Sequence, residues 1–308
     1  MLKDTLEIFL TSLKEKYILF GPTVKEGDLV IDKIVDIKKL EWSSGIPTHP
    51  PKTFFVPQCE VLFNYIDNQL TKEVTIKDKK ALIVSLIDLK ALPLYDKVFA
   101  NDIYYKERRE NIIVIGHGRN PNPIYLKNVP FDIFIGRLEN DQFKLFIGSQ
   151  NGKRLTKDLH EKSEFIEYTG PEKETERFQK MREMMRDKYN QVVWDELGKK
   201  CIECGKCTIV CPICFCFKIE DQATLKNRVG KRMRSLDSCF YNDFSLMAGG
   251  VKSLKNTAQK IHFWYTHKFV RIPKQYKAPI GCIECLRCFK VCPANINIEE
   301  TIDSIINK

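Results

Sequence analysis

The sequence predicts an α+β protein, with an N-terminal mixed α/β domain followed by a mainly helical, cysteine-rich domain. Two observations support this division. Short apolar runs of strand length are mixed with helical patterns as far as residue 168. Eleven of the twelve cysteines lie between Cys201 and Cys292. With 308 residues, 43% of them hydrophobic, the chain is long enough for two domains that each bury a core.

The domain predicted over 1–170 begins with an amphipathic helix, because apolar residues recur at helical spacing between Met1 and Tyr17. Strands are predicted at 81–87 and 112–115, and a hairpin over 131–136 and 143–148. We find no glycine-rich phosphate loop. The Gly116-His117-Gly118 segment has no helical pattern after it, so it indicates a turn and not a nucleotide site.

A connecting amphipathic helix is predicted over 171–200. Gly170-Pro171 marks its boundary, and the apolar positions of the segment recur every three or four residues. Its methionines and Trp194 are interpreted as packing residues. This helix leads the chain directly to Cys201.

The domain predicted over 201–308 contains one cysteine spacing twice, with proline after the last cysteine each time. The first motif is Cys201-x-x-Cys204-x-x-Cys207-x-x-x-Cys211-Pro212, and the second is Cys282-x-x-Cys285-x-x-Cys288-x-x-x-Cys292-Pro293. A long insertion of 70 residues, 212–281, separates the two motifs. Asn297 followed by Glu300 predicts the start of a last helix.

This spacing is that of bacterial ferredoxins, in which three cysteines wrap one [4Fe–4S] cluster and the fourth binds the other cluster. The sequence therefore predicts two [4Fe–4S] clusters with crossed ligation. Cluster 1 would take Cys201, Cys204, Cys207 and Cys292; cluster 2 would take Cys282, Cys285, Cys288 and Cys211. Zinc is the alternative, but zinc sites use two separated cysteine pairs, which a repeated run of four fits poorly.

Four cysteines remain outside the motifs. Cys214, Cys216 and Cys239 are interpreted as buried thiols that line the cluster pocket, and the alternative is that they are extra metal ligands. Cys59, alone in the first 200 residues, is interpreted as a core thiol. No catalytic constellation stands out among the histidines or other side chains.

The net charge of +10 lies mainly in the last third, where 17 Lys and Arg face 9 Asp and Glu. Such an excess is compatible with nucleic-acid binding, but it would also offset the negative charge of two thiolate-bound clusters. We therefore expect no nucleic-acid partner, and we keep a nucleic-acid-binding protein with a structural metal site as an alternative. A basic stretch is instead a candidate docking surface for acidic partners: Arg228, Lys231, Arg232 and Arg234.

The sequence shows no apolar run of about 20 residues and no secretory leader, so we expect a cytoplasmic protein with no membrane partner.

An electron carrier needs clusters and docking surfaces but no substrate chemistry. A self-contained reductase with a substrate site in 1–168 is the other alternative; it would need a bound flavin or nucleotide, for which we find no motif.

Several longer stretches resemble one family, the iron–sulfur dicluster subunits represented by the beta subunit of cytosolic NiFe sulfhydrogenases and the A subunit of anaerobic sulfite reductase. The stretches are CIECGKCTIVCPICFCF (201–217), SCFYNDFSLMAGG (238–250), THKF (266–269), GCIECLRCFKVCPANINI (281–298), KYILFGPTVKEGDLVIDKI (16–34), FFVPQCEVLF (54–63) and DIYYKERRENIIVIG (102–116).

The resemblance implies an electron-transfer subunit of anaerobic metabolism. Such a subunit relays electrons between an FAD-containing subunit that oxidises NAD(P)H and a catalytic redox subunit, either a NiFe hydrogenase or a sulfite reductase. Only the eight motif cysteines carry over. Family members often have further cysteines in the N-terminal half, where this chain has Leu86-Ile87-Asp88 and 116–121, so no N-terminal cluster is expected.

Overall fold

The structure is a computed structural model, and it describes residues 1–43, 45–67, 69–71, 78–139, 142–159, 163–187, 191–224, 229–279 and 281–307. The chain forms two compact units. The first consists of Met1–Phe55 and Thr75–Glu172, and the second of Val56–Val74 and Lys173–Lys308. The second unit thus takes in residues 56–74, which the division drawn from the sequence assigns to 1–170.

The first unit is built on a seven-stranded sheet, counted over the described residues. Its strands are β1 Ile18–Lys25, β2 Asp28–Lys33, β5 Lys80–Ser85, β6 Ile112–Arg119, β7 Ile133–Arg137, β8 Phe143–Ile147 and β9 Glu164–Phe165. Its helices are α1 Lys3–Lys14, α2 Lys52–Phe55, α3 Leu86–Leu89, α4 Leu92–Val98, α5 Ile103–Glu110, α6 Pro123–Leu126 and α7 Gln150–Leu155, with a 3-10 helix at Ile37–Lys39.

The sheet has the order β2-β1-β5-β6-β7-β8-β9, and its four central strands β1, β5, β6 and β7 are parallel. Parallel strands are covered on both faces and therefore read as continuous apolar runs, as β5 and β6 do. The hairpin predicted from the sequence is β7–β8, paired antiparallel. The predicted turn at 116–118 is instead part of β6, and His117 is buried there beside the Trp42 ring, 5.9 Å between centroids.

The second unit combines a small sheet with helices. Its strands are β3 Cys59–Ile66, β4 Gln69–Thr71, β10 Phe217–Thr224 and β11 Val229–Leu236. Its helices are α8 Glu176–Asp187, α9 Gln191–Lys200, α10 Lys206–Ile209, α11 Thr257–Thr266, α12 Ile272–Tyr276, α13 Arg287–Lys290 and α14 Ile298–Ile306. A π-helical turn, His267–Arg271, joins α11 to α12, and a short 3-10 helix lies at Ala248–Gly250.

Residues 201–308 are mixed α and β in the structure, not mainly helical as the sequence predicts. The 70-residue insertion contains the two eight-residue strands β10 and β11, which pair with each other antiparallel. Strand β11 also pairs with β3, and β3 with β4, so that the sheet has the order β10-β11-β3-β4. The hydrophobic-periodicity argument missed this sheet because β10 is exposed along its whole length and carries no buried face.

The predicted connecting helix appears as α8 and α9, and residues 188–190 between them lie outside the described residues. Phe178, Met181 and Trp194 are buried from these helices against α11 and α14 in one hydrophobic core. Asn297 caps α14 by accepting a hydrogen bond from the Glu299 backbone N–H, 3.0 Å away. This core supports the cysteine loops, since several motif cysteines pack against it.

Among the described residues, no helix has the length and apolarity needed to cross a bilayer.

Candidate metal centre

Both cysteine motifs fold into the same backbone shape. The second residue after the first cysteine is left-handed in each, Glu203 at φ 56° and Glu284 at φ 57°. The residue after the second cysteine is left-handed too, Gly205 at φ 71° and Leu286 at φ 56°. A short helix then begins, α10 in the first motif and α13 in the second. Two separate stretches of sequence therefore build the same loop.

The left-handed residues turn backbone N–H groups toward sulfur. The Glu203 N–H lies 3.4 Å from the Cys201 Sγ, and the Glu284 N–H lies 3.4 Å from the Cys282 Sγ. The Ile296 N–H makes a similar contact, 3.4 Å, with the Cys292 Sγ. Such N–H groups stabilise negative charge on a thiolate, which is one way a protein prepares a cluster site.

The first motif meets the last cysteine of the second motif. One cavity of about 50 Å³ is lined by Cys201, Cys204, Cys207, Cys292 and Cys288, with apolar walls from Trp264 and other core residues. In addition to burial, charges on Cys204 and Cys292 raise the pKa of the Cys201 thiol, so both lie near it. We call the set Cys201, Cys204, Cys207 and Cys292 site 1.

The second motif meets the last cysteine of the first motif. After burial, a charge on Cys211 is a further cause of the raised pKa of Cys282, Cys285 and Cys288. Cys211 therefore lies near these three cysteines of the second motif. We call this set site 2. Cys288 adjoins both sites, because it also lines the cavity of site 1 and acts on Cys207.

These donor sets fit iron–sulfur clusters. Soft thiolates select iron–sulfur chemistry or zinc, and a zinc ion draws its sulfurs to about 2.3 Å from a single point. Among the described residues, no three His, Cys, Asp or Glu side chains are gathered to hold one metal ion. In site 1 the thiols surround a cavity, as ligands must when each binds a different corner of a cubane.

Burial governs the protonation of the thiols. It raises the pKa of Cys201 and Cys285, raises that of Cys207 well above its ordinary value, and raises those of Cys282 and Cys288 to about 12. Cluster binding must therefore release protons from these thiols, since only thiolates bind iron.

Two buried cations lie against site 2, and sequence reasoning missed both. Lys268 is 2% exposed, and its Nζ lies 3.0 Å from the Cys211 Sγ and 3.0 Å from the Gly281 carbonyl oxygen. Burial alone lowers the pKa of Lys268, but thiolate charge on Cys211, Cys214 and Cys282 outweighs it and raises the pKa. Arg287 is 2% exposed, and against the larger effect of burial its backbone N–H, charge and side chain lower the pKa of the Cys285 thiol.

The cation nearest to site 1 is paired differently. Lys260 is 5% exposed, and its Nζ lies 2.6 Å from the Glu203 Oε2 and 3.0 Å from the Phe240 carbonyl oxygen. Its charge is balanced by the Glu203 carboxylate, whose pKa it lowers. Lys206, which occupies in the first motif the place of Arg287 in the second, is exposed.

The extra cysteines lie beside the two sites. Cys239 is buried. In addition to burial, a charge on Cys239 raises the pKa of Cys207, and a charge on Cys216 raises the pKa of Cys239. Cys214 packs against the hydrophobic core, and a charge on it helps to raise the pKa of Lys268 against the effect of burial. Cys239 is buried as predicted, whereas Cys214 and Cys216 are half-buried, and both the pocket-lining role and the ligand role of these cysteines stay predictions. Cys59 is exposed on β3, so its interpretation as a core thiol is wrong.

Two arginines of the basic stretch are paired with carboxylates within the second unit. Arg234 is buried, with its Nε 2.8 Å from the Glu60 Oε1, and Arg232 makes two 2.7 Å hydrogen bonds to Asp221. Arg228 lies outside the described residues. Lys231 is half-buried and the Arg232 side chain is 43% exposed, so the docking surface stays a prediction that now rests on these two residues.

Comparison with known proteins agrees with this geometry. Residues 200–296 match the family profile of the 4Fe-4S dicluster domain. The second unit carries a dicluster domain. The matched residues include both motifs and the insertion between them, so the two motifs belong to one domain.

The likeness extends beyond the dicluster domain. Sulfhydrogenase 2 subunit beta of Pyrococcus furiosus is 28% identical to this chain, over 96% of this chain and 95% of the relative. The match therefore includes the first unit, although the metal-binding residues that we can assign lie in the second. The resemblance inferred from the sequence stretches is confirmed.

Proposed function

We propose that this chain is an iron–sulfur electron-transfer subunit of a multi-subunit oxidoreductase. The observation that carries the proposal is the meeting of the two motifs. Each site is completed by the last cysteine of the other motif, and Cys288 adjoins both. Two [4Fe–4S] clusters would supply one-electron transfer, and the protein would hold them next to each other for that purpose.

The same geometry supports the ligand assignment that we propose. Cys201, Cys204, Cys207 and Cys292 would hold the first cluster, and Cys282, Cys285, Cys288 and Cys211 the second. Backbone N–H groups at Glu203, Glu284 and Ile296 are placed to stabilise the bound thiolates. The protein provides ligation, charge and exclusion of water, and no general acid or base is needed.

The exposed edge of site 1 is the place where electrons would enter or leave. Cys204 is exposed, and the neighbouring Ile202 is 66% exposed. A redox partner can approach site 1 there, whereas the matching residues of site 2, Cys285 and Ile283, are buried. The proposed partners are an FAD-containing subunit that oxidises NAD(P)H and a catalytic redox subunit of the hydrogenase or sulfite reductase type.

Support for such partners comes from the Pyrococcus furiosus relative, which is named as a subunit of a sulfhydrogenase. Purification of the tagged chain without oxygen from its own cells tests the partnership. We expect a flavoprotein and a second redox protein to co-purify, and cluster reduction by NADH or NADPH in the complex. Absence of both proteins would contradict the subunit role while leaving the clusters intact.

Iron analysis tests the cluster content itself. We expect roughly eight iron and eight acid-labile sulfide per chain, with spin-coupled EPR signals after reduction. Cys59→Ser is a matched control, since this exposed cysteine lies outside both sites and its loss should leave the iron count unchanged. A value near twelve would assign a third cluster to Cys214, Cys216 and Cys239. Zinc without sulfide would overturn the proposal and favour a structural metal site.

A further inference from the structure

We propose that Lys268 and Arg287 raise the reduction potential of the cluster in site 2 above that of the cluster in site 1, so that an electron entering at site 1 settles at site 2. This inference rests on the proposed function, because it requires a cluster in each site. It concerns two side chains that are not ligands.

The first step is the position of the charge. Lys268 donates a hydrogen bond to the Cys211 sulfur, 3.0 Å, and its charge also acts on Cys282 and Cys288. Arg287 is buried two residues after Cys285 in the same loop, and its charge favours the thiolate of Cys285. Every sulfur of site 2 is thus influenced by a buried cation. A hydrogen bond to a charged group in a dry environment is far stronger than one at the surface.

The second step is the contrast with site 1. Among the described residues, the charges that raise the pKa of Cys201 and Cys207 in addition to burial are those of Glu203 and neighbouring thiols. The nearest buried lysine, Lys260, is paired with Glu203 and not with a sulfur. Lys206, the counterpart of Arg287, is exposed, where water and salt screen its charge.

The third step is the redox consequence. A cluster that gains one electron becomes one unit more negative, and the donor, here the cluster in site 1, loses that electron. A nearby fixed cation stabilises the more negative state and so raises the potential. Burial alone would lower the reduction potential, because removing water destabilises the more negative state of the cluster. Replacing Lys268 without opening the site therefore isolates the effect of its charge from that of burial.

The local fold explains how a lysine can be held there. Lys268 lies in the π-helical turn His267–Arg271, a kind of insertion often found at functional sites. Its Nζ packs over the Trp264 ring, 5.1 Å from the centroid. The backbone N–H of Gly281 donates to the Lys268 carbonyl oxygen at 2.9 Å, and a Cβ at Gly281 would come within 2.8 Å of that oxygen. Glycine at this position lets the turn lie against the start of the second motif.

The test is an EPR-monitored redox titration with dithionite of the anaerobically purified full chain. The wild-type protein should be reduced in two separate steps. Lys268→Met removes the charge and keeps the side-chain length, and it should shift the higher step to a lower potential while the lower step moves less. Lys268→Arg should restore the shift at least in part. Lys206→Met, the exposed control, should leave both steps where they are.

Iron and sulfide counts separate the possible failures. If wild-type protein contains no clusters, the proposed function itself fails. If Lys268→Met keeps its iron and its titration matches wild type, the inference is wrong and the proposed function stands. Lys268→Gln, which keeps a donor without charge, replaces Met if the Met variant loses iron. A single reduction step in the wild-type protein would overturn the inference without any variant.

Discussion

Sites 1 and 2 have the same cysteine spacing and the same left-handed loop, but they differ in their surroundings. Site 1 reaches the surface at Cys204, and the charged neighbours of Cys201 and Cys207 among the described residues are Glu203 and other thiols. Site 2 is more enclosed, with Cys211 and Cys285 buried and Cys282 and Cys288 half-buried, and it is bordered by the buried Lys268 and Arg287. The same loop geometry is thus placed in two electrostatic environments, and the proposed direction of electron transfer rests on this difference.

The comparison teaches that spacing sets what is bound, while the elements outside the motifs set how it behaves. Lysine and arginine occupy matching places in the two loops, yet Lys206 is exposed and Arg287 is buried. Nothing in the loops themselves determines this. The π-helical turn that carries Lys268 lies beside the second motif, and its contact with Gly281 fixes that arrangement.

The largest expected effect comes from breaking the crossed ligation. Cys211→Ser should remove the cluster of site 2, although this residue belongs to the first motif, and Cys292→Ser should remove the cluster of site 1. Each variant should drop from roughly eight iron to roughly four. In the titration, Cys211→Ser should lose the higher-potential step and Cys292→Ser the lower one. The opposite pattern would mean that each motif holds its own cluster.

A smaller effect is expected from exposure. The cluster in site 1 should be lost faster than that in site 2 when the protein is treated with an iron chelator in air, because solvent reaches Cys204 but not Cys285. The two EPR signals, followed with time, measure both rates in one sample. Equal rates would show that the exposed edge does not control access. Ile202→Ala should speed the loss at site 1, since it opens that edge further.

The smallest effect concerns the fit of each loop. Gly205 has φ 71°, and a Cβ there would lie 2.6 Å from the Tyr241 ring and 2.9 Å from the Ser238 hydroxyl. Gly205→Ala should therefore destabilise the protein by about 1–2 kcal/mol from backbone strain, with the steric contact in addition. The change should appear as a lower apparent Tm in an anaerobic thermal scan.

Gly249→Ala is the matched control for that prediction. Its φ of 78° is similar, but no atom lies within 4 Å of the new Cβ, so it reports strain alone. Equal effects of the two substitutions would mean that Tyr241 and Ser238 yield freely. In site 2, the equivalent residue is Leu286, which shows that this loop position itself accepts a side chain.

Much of the metal centre could be predicted from the sequence, because cysteine spacing reports directly on local loop geometry. The repeated motif, the cap at Asn297 and the parallel strands β5 and β6 all depend on neighbouring residues or on continuous apolar runs. These are the features that a sequence displays without knowledge of the fold.

The remaining features depend on distant pairing. Strand β3 pairs with β11, so Glu60 meets Arg234 across 174 positions, and no local pattern indicates that the arginine is buried. Lys268 could have been suspected, since it lies within the strongly aromatic run HFWYTHKFV. A lysine in such a run needs a buried anionic partner, and the cluster thiolates were the obvious candidates.

The excursion of residues 56–74 into the second unit has a consequence for modularity. The chain passes from one unit to the other at Phe55, returns at Thr75, and leaves again after Glu172. A gene cut after residue 172 would separate β3, and β4 paired to it, from β11, the hydrogen-bonded neighbour of β3. We therefore expect neither half of such a cut to fold as an independent module.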